Sequence, residues 1–165
     1  GVEHRLELVD ERRGVRYYND SIATSPERLV AALKSFDESI VLLAGGRDKH
    51  LPWDDAACLM LQRTRHVILF GEAVELIAGA IEAESKKLEA EGQSLGPENK
   101  PMLHRCVTLE DAVAVAAQVA RPSDVVLLSP GCTSFDSFND VAERGEQFRE
   151  FVRNLSDQPP NNLSR

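Results

Sequence analysis

Cysteine is the first thing this sequence has little of: Cys58, Cys106 and Cys132 are the three it carries in 165 residues. Their number is odd and none are spaced as C-x-x-C, which excludes a disulfide framework and a zinc ribbon. Reduced thiols in a cytoplasmic protein are the expectation. The four histidines are equally scattered, and no His/Cys/Asp/Glu group has metal-ligand spacing, so no metal site is expected. No apolar run comes near the ~20 residues that span a bilayer, and no secretory signal is visible, so no membrane partner is expected. Runs of lysine and arginine are missing too. With a formal net charge of −8 the chain repels nucleic acid, which is expected to be no partner. Two glycine signatures are absent. Without G-x-x-x-x-G-K-[ST] the chain lacks the usual phosphate cradle, and without G-x-G-x-x-G after a strand the case for a dinucleotide weakens.

What is present is the composition of a globular domain, 42% hydrophobic and 28% charged. The length suits one domain with its own core and is too short for two ordinary ones. The chain opens at Gly1 and enters a polar–apolar pattern almost at once, as a piece of a longer protein would. Short alternating runs at 6–9 and 15–18 predict a β-hairpin around Glu11-Arg12-Arg13-Gly14. Ser25-Pro26-Glu27 opens a helix that runs to about residue 36, with Ser25 as its cap and Pro26 in its first turn. The continuous apolar runs 40–44 (IVLLA), 66–70 (HVILF) and 125–128 (VVLL) predict strands covered on both faces. A shorter strand is expected at 103–107. Further helices are expected at 53–62, 73–91, 108–120 (capped by Thr108) and 137–155. Residues 92–100 read as a surface loop and 156–165 as a flexible tail, which leaves 1–155 as the folded domain. Strands alternating with helices predict an α/β fold on a mostly parallel sheet, which the hairpin makes mixed.

Three segments stand out, each between a strand and a helix: N-D-S-I-A-T-S-P at 19–26, G-G-R-D-K at 45–49 and S-P-G-C-T-S-F-D at 129–136. In a parallel sheet such loops share the carboxyl edge of the strands, where ligands bind. Their chemistry is coherent. Thr24, Ser134 and helix-start N–H groups can donate to an anion. Arg47 and Lys49 bring positive charge to an acidic chain, Gly45 and Gly46 permit a tight turn, and Asp20 can accept from a ribose hydroxyl. Each also has a plain structural use. Thr24 suits a turn, Lys49 a solvated charge, Ser134 or Asp136 the cap of the last helix, and Cys132 and Trp53 the core. The shared placement of the three segments is what raises them above such uses.

Together with H-R-L-E at 4–7, L-F-G-E at 69–72 and E-R-G-E-Q-F at 143–148, these segments occur in an order that resembles the C-terminal domain of the Mur ligases. Within that family they are most similar to the branch that adds D-glutamate to UDP-N-acetylmuramoyl-L-alanine. The resemblance runs from about residue 4 to residue 155. It implies a Rossmann-like α/β domain with a mostly parallel six-stranded sheet and helices on both faces. It also implies an ATP- and Mg2+-dependent ligase of peptidoglycan synthesis that acts through an acyl phosphate. The P-loop and metal ligands of that ligase belong to the family's central domain and its UDP site to the N-terminal domain, so no catalytic residue is expected in this chain.

The motifs imply roles residue by residue. Lys49 would pair with a D-glutamate carboxylate, Thr24 and Ser134 would hydrogen-bond the same amino acid, and Arg5 and Asp20 would face ATP. Two positions depart from the family pattern. Ile22 stands where many members carry Lys, and Val141 stands where some place a Phe beside the amino acid. Two other readings stay open: a Mur- or folate-type ligase for another amino acid, and a non-catalytic module that binds a small anion or a partner protein.

Overall fold

The computed structural model describes residues 2–93 and 95–156. It opens with β1 (Glu7–Arg12) and β2 (Val15–Asn19), which pair antiparallel. The turn between them is the two residues Arg13 and Gly14, both at positive φ (56° and 78°), the geometry whose twist matches that of the flanking strands. The hairpin loop is therefore shorter than expected, and β1 runs on through Glu11 and Arg12.

The rest alternates helix and strand: α1 (Pro26–Leu33), β3 (Ile40–Gly45), α2 (Asp54–Arg63), β4 (Thr64–Phe70), α3 (Val74–Ala90), β5 (Met102–Arg105), α4 (Leu109–Val119), β6 (Val125–Gly131) and α5 (Val141–Arg153). The six strands form one sheet in the order β1-β2-β6-β3-β4-β5, parallel everywhere except at the hairpin. Ser25 caps α1 by accepting from the Arg28 N–H, and Thr108 caps α4 by accepting from Asp111.

Successive side chains of a strand point to opposite faces, so the apolar runs feed two cores. Leu42 and Ala44 of β3, Leu69 of β4 and Leu127 of β6 pack under α1, α2 and α3. Val41, Leu43, Ile68 and Leu128 pack under α4 and α5. Both faces are thus covered, which is why these strands carry no polar alternation.

Two boundaries move for a physical reason. Strand β6 extends to Gly131 because Gly45 pairs with Gly131 at the end of the β3 ladder. Helix α5 starts at Val141 and not at residue 137, and its cap is neither Ser134 nor Asp136. Asp140 caps it, accepting from the Glu143 N–H at 2.8 Å. Residues ahead of it turn inward instead: the Phe138 N–H donates to the Ser134 carbonyl, and its half-buried ring packs on the second core. Of the expected tail, 157–165 lie outside the described residues.

Candidate functional site

Helix α2 follows β3 onto one face of the sheet and α5 follows β6 onto the other, although β3 and β6 are neighbours. Chain paths that part in this way open a crevice beyond the carboxyl ends of the two strands. The loops after β2, β3 and β6 meet there and are stitched by main-chain hydrogen bonds. The Gly131 N–H donates to Ala23 O (2.8 Å), and Arg47 and Thr133 exchange both N–H···O bonds (3.0 and 2.9 Å). A fourth loop, after β4, joins through Ala73 N–H to Gly46 O (2.9 Å) and Glu72 N–H to Asp136 Oδ2 (3.1 Å). Gly46 sits at the crossing with φ +121°, and a Cβ there would overlap the Thr133 carbonyl oxygen.

The residues expected to bind the amino acid lie in this cluster. Lys49 Nζ donates to Thr24 Oγ1 at 2.9 Å, joining the first and second loops. Lys49 is exposed and stands at the apex of a turn clamped by Asp48, whose carboxylate accepts from Trp53 Nε1 and from the His50 N–H, both at 2.9 Å. Trp53 is in the core, as expected. The other cation of this loop, Arg47, is committed to Glu72 through two 3.1 Å hydrogen bonds. Lys49 forms no ion pair among the described residues, so of the two cations in this loop its charge is the one left for an acidic ligand. Ser134 is buried, and among the described residues its Oγ is the buried side-chain polar atom without a hydrogen-bond partner. Leaving a buried hydroxyl unpaired costs about 1–3 kcal/mol. Cys132, next to it, is fully buried, and burial pushes its thiol up to about 12, which leaves it an inert packing group.

Arg5 and Asp20 meet in a separate cleft of about 160 Å³, walled by Leu6, Ile22 and Ala23 and joined by Arg28 from the first turn of α1. Asp20 first of all ties the chain together. Its Oδ1 accepts from the Leu6 N–H (3.1 Å) and its Oδ2 from the Ser129 hydroxyl (2.8 Å). Burial raises its pKa, while the Ser129 and Leu6 hydrogen bonds act to lower it. The cleft holds two guanidinium groups to one carboxylate, a setting for a phosphate or sugar-phosphate edge. Among the described residues no group of three or more His, Cys, Asp or Glu is arranged to hold a metal ion.

Sequence inspection did not single out Arg144. It is fully buried in α5, and its guanidinium bridges the loops after β2 and β6. Nε donates to Ser21 Oγ (3.0 Å), Nη2 to Ser21 O (2.8 Å) and Nη1 to Cys132 O (3.1 Å). Burial lowers its pKa to about 10, so it remains charged at neutral pH. Bonds from a charged donor are worth about 1.5–3 kcal/mol each, enough together to offset the several kcal/mol that burying a lone cation costs. A signal was present: Arg144, Phe148 and Val152 recur at helical spacing, and the last two are plain core residues. Val141 also contributes through its backbone, its carbonyl accepting from Ser21 Oγ at 2.7 Å.

Comparison with known proteins bears on this geometry. Residues 4–132 match the family model of the Mur ligase, glutamate ligase domain. The chain is 41% identical over 155 residues to a UDP-N-acetylmuramoylalanine–D-glutamate ligase of Acetivibrio thermocellus, a match covering 94% of this chain and 32% of that protein. It thus spans about a third of the length of the curated relatives it matches. Among solved structures it is similar to a murein peptide ligase from Psychrobacter arcticus (TM-score 0.61, 11% identity, 94% of this chain and 31% of the other). It is also similar to a folylpolyglutamate synthase from Thermotoga maritima (TM-score 0.58, 14% identity, 96% and 32%). At such identities the two structures speak for the fold alone.

Proposed function

The chain belongs to the Mur ligase family, through its glutamate ligase domain, and from that premise we propose that it is the amino-acid-binding domain of a cytoplasmic, ATP-dependent ligase that joins D-glutamate to UDP-N-acetylmuramoyl-L-alanine in peptidoglycan synthesis. In this reading residues 1–155 are the C-terminal domain, and the family's N-terminal and central domains complete the enzyme. The observation that carries it is the loop cluster itself, which brings together Lys49 bonded to Thr24 and free of ion pairs among the described residues, and a loop carrying the buried Ser134 hydroxyl that has no partner among them. D-Glutamate differs from most amino acids by its second carboxylate, and a fixed cation is what reads it. Lys49 pairs with that carboxylate, Thr24 accepts from the ammonium and donates its O–H to the ligand, and Ser134 gains a partner.

The cleft of Arg5, Asp20 and Arg28 faces the nucleotide. Arg5 and Arg28 supply positive charge for phosphate, and the cleft edge of Asp20 accepts from a ribose hydroxyl. Bound ATP supplies the phosphoryl group that activates the precursor's carboxylate for attack by the D-glutamate amine. Mg2+ falls to the central domain in this scheme. This chain binds and orients the amino acid and closes over the nucleotide.

The test is ADP release by the full-length ligase supplied with the UDP-precursor and, in turn, D-glutamate, other amino acids and folates. Release is expected with D-glutamate alone, and none is expected from the isolated chain. Use of another amino acid or a folate in preference would contradict the assignment, as would turnover by the isolated chain.

A further inference from the structure

We infer that Arg144 is a positioning residue of the amino-acid site, holding the loops that carry Thr24 and Ser134 in register from within the core. This rests on the function proposed above. Ser21 lies three residues before Thr24, and Cys132 lies two before Ser134. One rigid guanidinium grips the backbone of both loops and the Ser21 hydroxyl. That hydroxyl passes the link on to the Val141 carbonyl at the start of α5 (2.7 Å), so helix and loops move as one body. The loop after β3 is in the same contact. A Cβ on Gly46 would lie 3.2 Å from Arg144 Nη1 and 3.1 Å from Cys132 Cβ, so that glycine lets the Lys49 loop close against the grip.

Two further observations separate this role from ordinary packing. No carboxylate pairs with Arg144 among the described residues, and the three hydrogen bonds of this core cation all go to site loops. In addition, the nucleotide cleft has its own tie. Asp20 is held by Ser129 and by the Leu6 N–H, neither of which hydrogen-bonds Arg144 among the described residues. Asp20 and Ser21 are neighbours in one loop, yet Asp20 keeps these ties of its own when the Arg144 grip is lost, so the nucleotide side should move less than the amino-acid side.

The experiment is steady-state kinetics of the full-length ligase carrying Arg144→Lys, with Ser21→Ala as a milder second variant, varying D-glutamate and ATP separately. Lysine keeps the charge but cannot span three acceptors. Arg144→Lys is expected to raise the KM for D-glutamate about tenfold or more while the KM for ATP stays within about twofold. Ser21→Ala, which removes one acceptor and the link to Val141, should shift the D-glutamate KM in the same direction by a smaller factor. Loss of thermal stability or of active fraction with both KM values unchanged would overturn the inference, leaving Arg144 a structural residue. If Arg144→Lys does not fold, an unchanged D-glutamate KM in Ser21→Ala overturns it instead. A wild-type enzyme that fails to use D-glutamate would sink the proposed function and this role with it, a result distinct from either variant outcome.

Discussion

The ammonium of Lys49 donates to the Thr24 hydroxyl at 2.9 Å, bridging two loops from different strands. Lys49 is exposed, so the bond adds little stability, since pairs at the surface are worth about 0–1 kcal/mol even when both partners are charged. Its consequence is orientation. The Asp48 clamp fixes the turn, and Thr24 parks the cation at the crevice on a neutral partner that a carboxylate can displace at small cost.

The stitching of the loops makes Gly46 sensitive. Its φ of +121° strains any other residue, and a Cβ would collide with the main chain of Thr133, which cannot rotate away. Gly46→Ala should destabilise the fold by more than about 2 kcal/mol. In a domain of this size that lowers Tm by about 5 °C or more. Thermal melts of the variant check this, and an unchanged Tm would mean that the loops are not locked as described.

Ile22 is half-buried and lines the cleft between Arg5, Asp20 and Arg28. A lysine stem can follow the same apolar wall and carry its ammonium to solvent or to Asp20. Ile22→Lys should therefore cost less than about 1 kcal/mol, a Tm change of no more than about 4 °C. A much larger drop would show that Ile22 is a core residue.

At the opposite end of the sheet, His66 is held neutral. Arg65 donates to its Nε2 (2.9 Å), so the ring proton sits on Nδ1 and points to His104 Nε2 (2.9 Å). Burial, then the charges of Arg65 and His104, bring its pKa from 6.5 down to about 4. Between those values the unfolded chain takes up a proton that the fold refuses, so stability falls as pH drops from about 6.5 towards about 4 and is insensitive to this group above 6.5. Replacing it, as in His66→Gln, should make the Tm decline less between pH 7 and pH 5 than in the wild type. Parallel pH profiles for the two proteins would contradict this.

The sheet and its helices were legible because strands buried on both faces must be continuously apolar, and Ser25 and Thr108 mark helix starts by local hydrogen bonding. The start of α5 was not. Ser134, Asp136 and Asp140 are all suitable caps by type, and only the inward packing of Phe138 and the hydrogen bond from the Glu72 N–H to the Asp136 carboxylate decide among them. The shared edge of the three loops was legible in their strand–loop–helix placement, whereas the Lys49–Thr24 contact depends on a strand order, with β6 between β2 and β3, that the sequence does not spell out. The double tie of Asp20 to Leu6 and Ser129 joins residues distant in sequence and left no local signature. Arg144 was hidden in another way: a charge on a polar helix reads as solvated unless its spacing to Phe148 and Val152 is weighed.

In the function proposed above, Lys49 reads the second carboxylate of D-glutamate. The most direct test is the kinetics of Lys49→Ala in the full-length ligase, with D-glutamate and ATP varied in turn. Losing a charge-assisted hydrogen bond in a closed site costs about 1.5–3 kcal/mol, roughly ten- to over a hundredfold in binding. The D-glutamate KM should rise by that factor while the KM for ATP changes little. If the contact forms only in the transition state, kcat should fall by the same factor. Unchanged KM and kcat for D-glutamate would leave Lys49 an ordinary solvated charge and contradict the account.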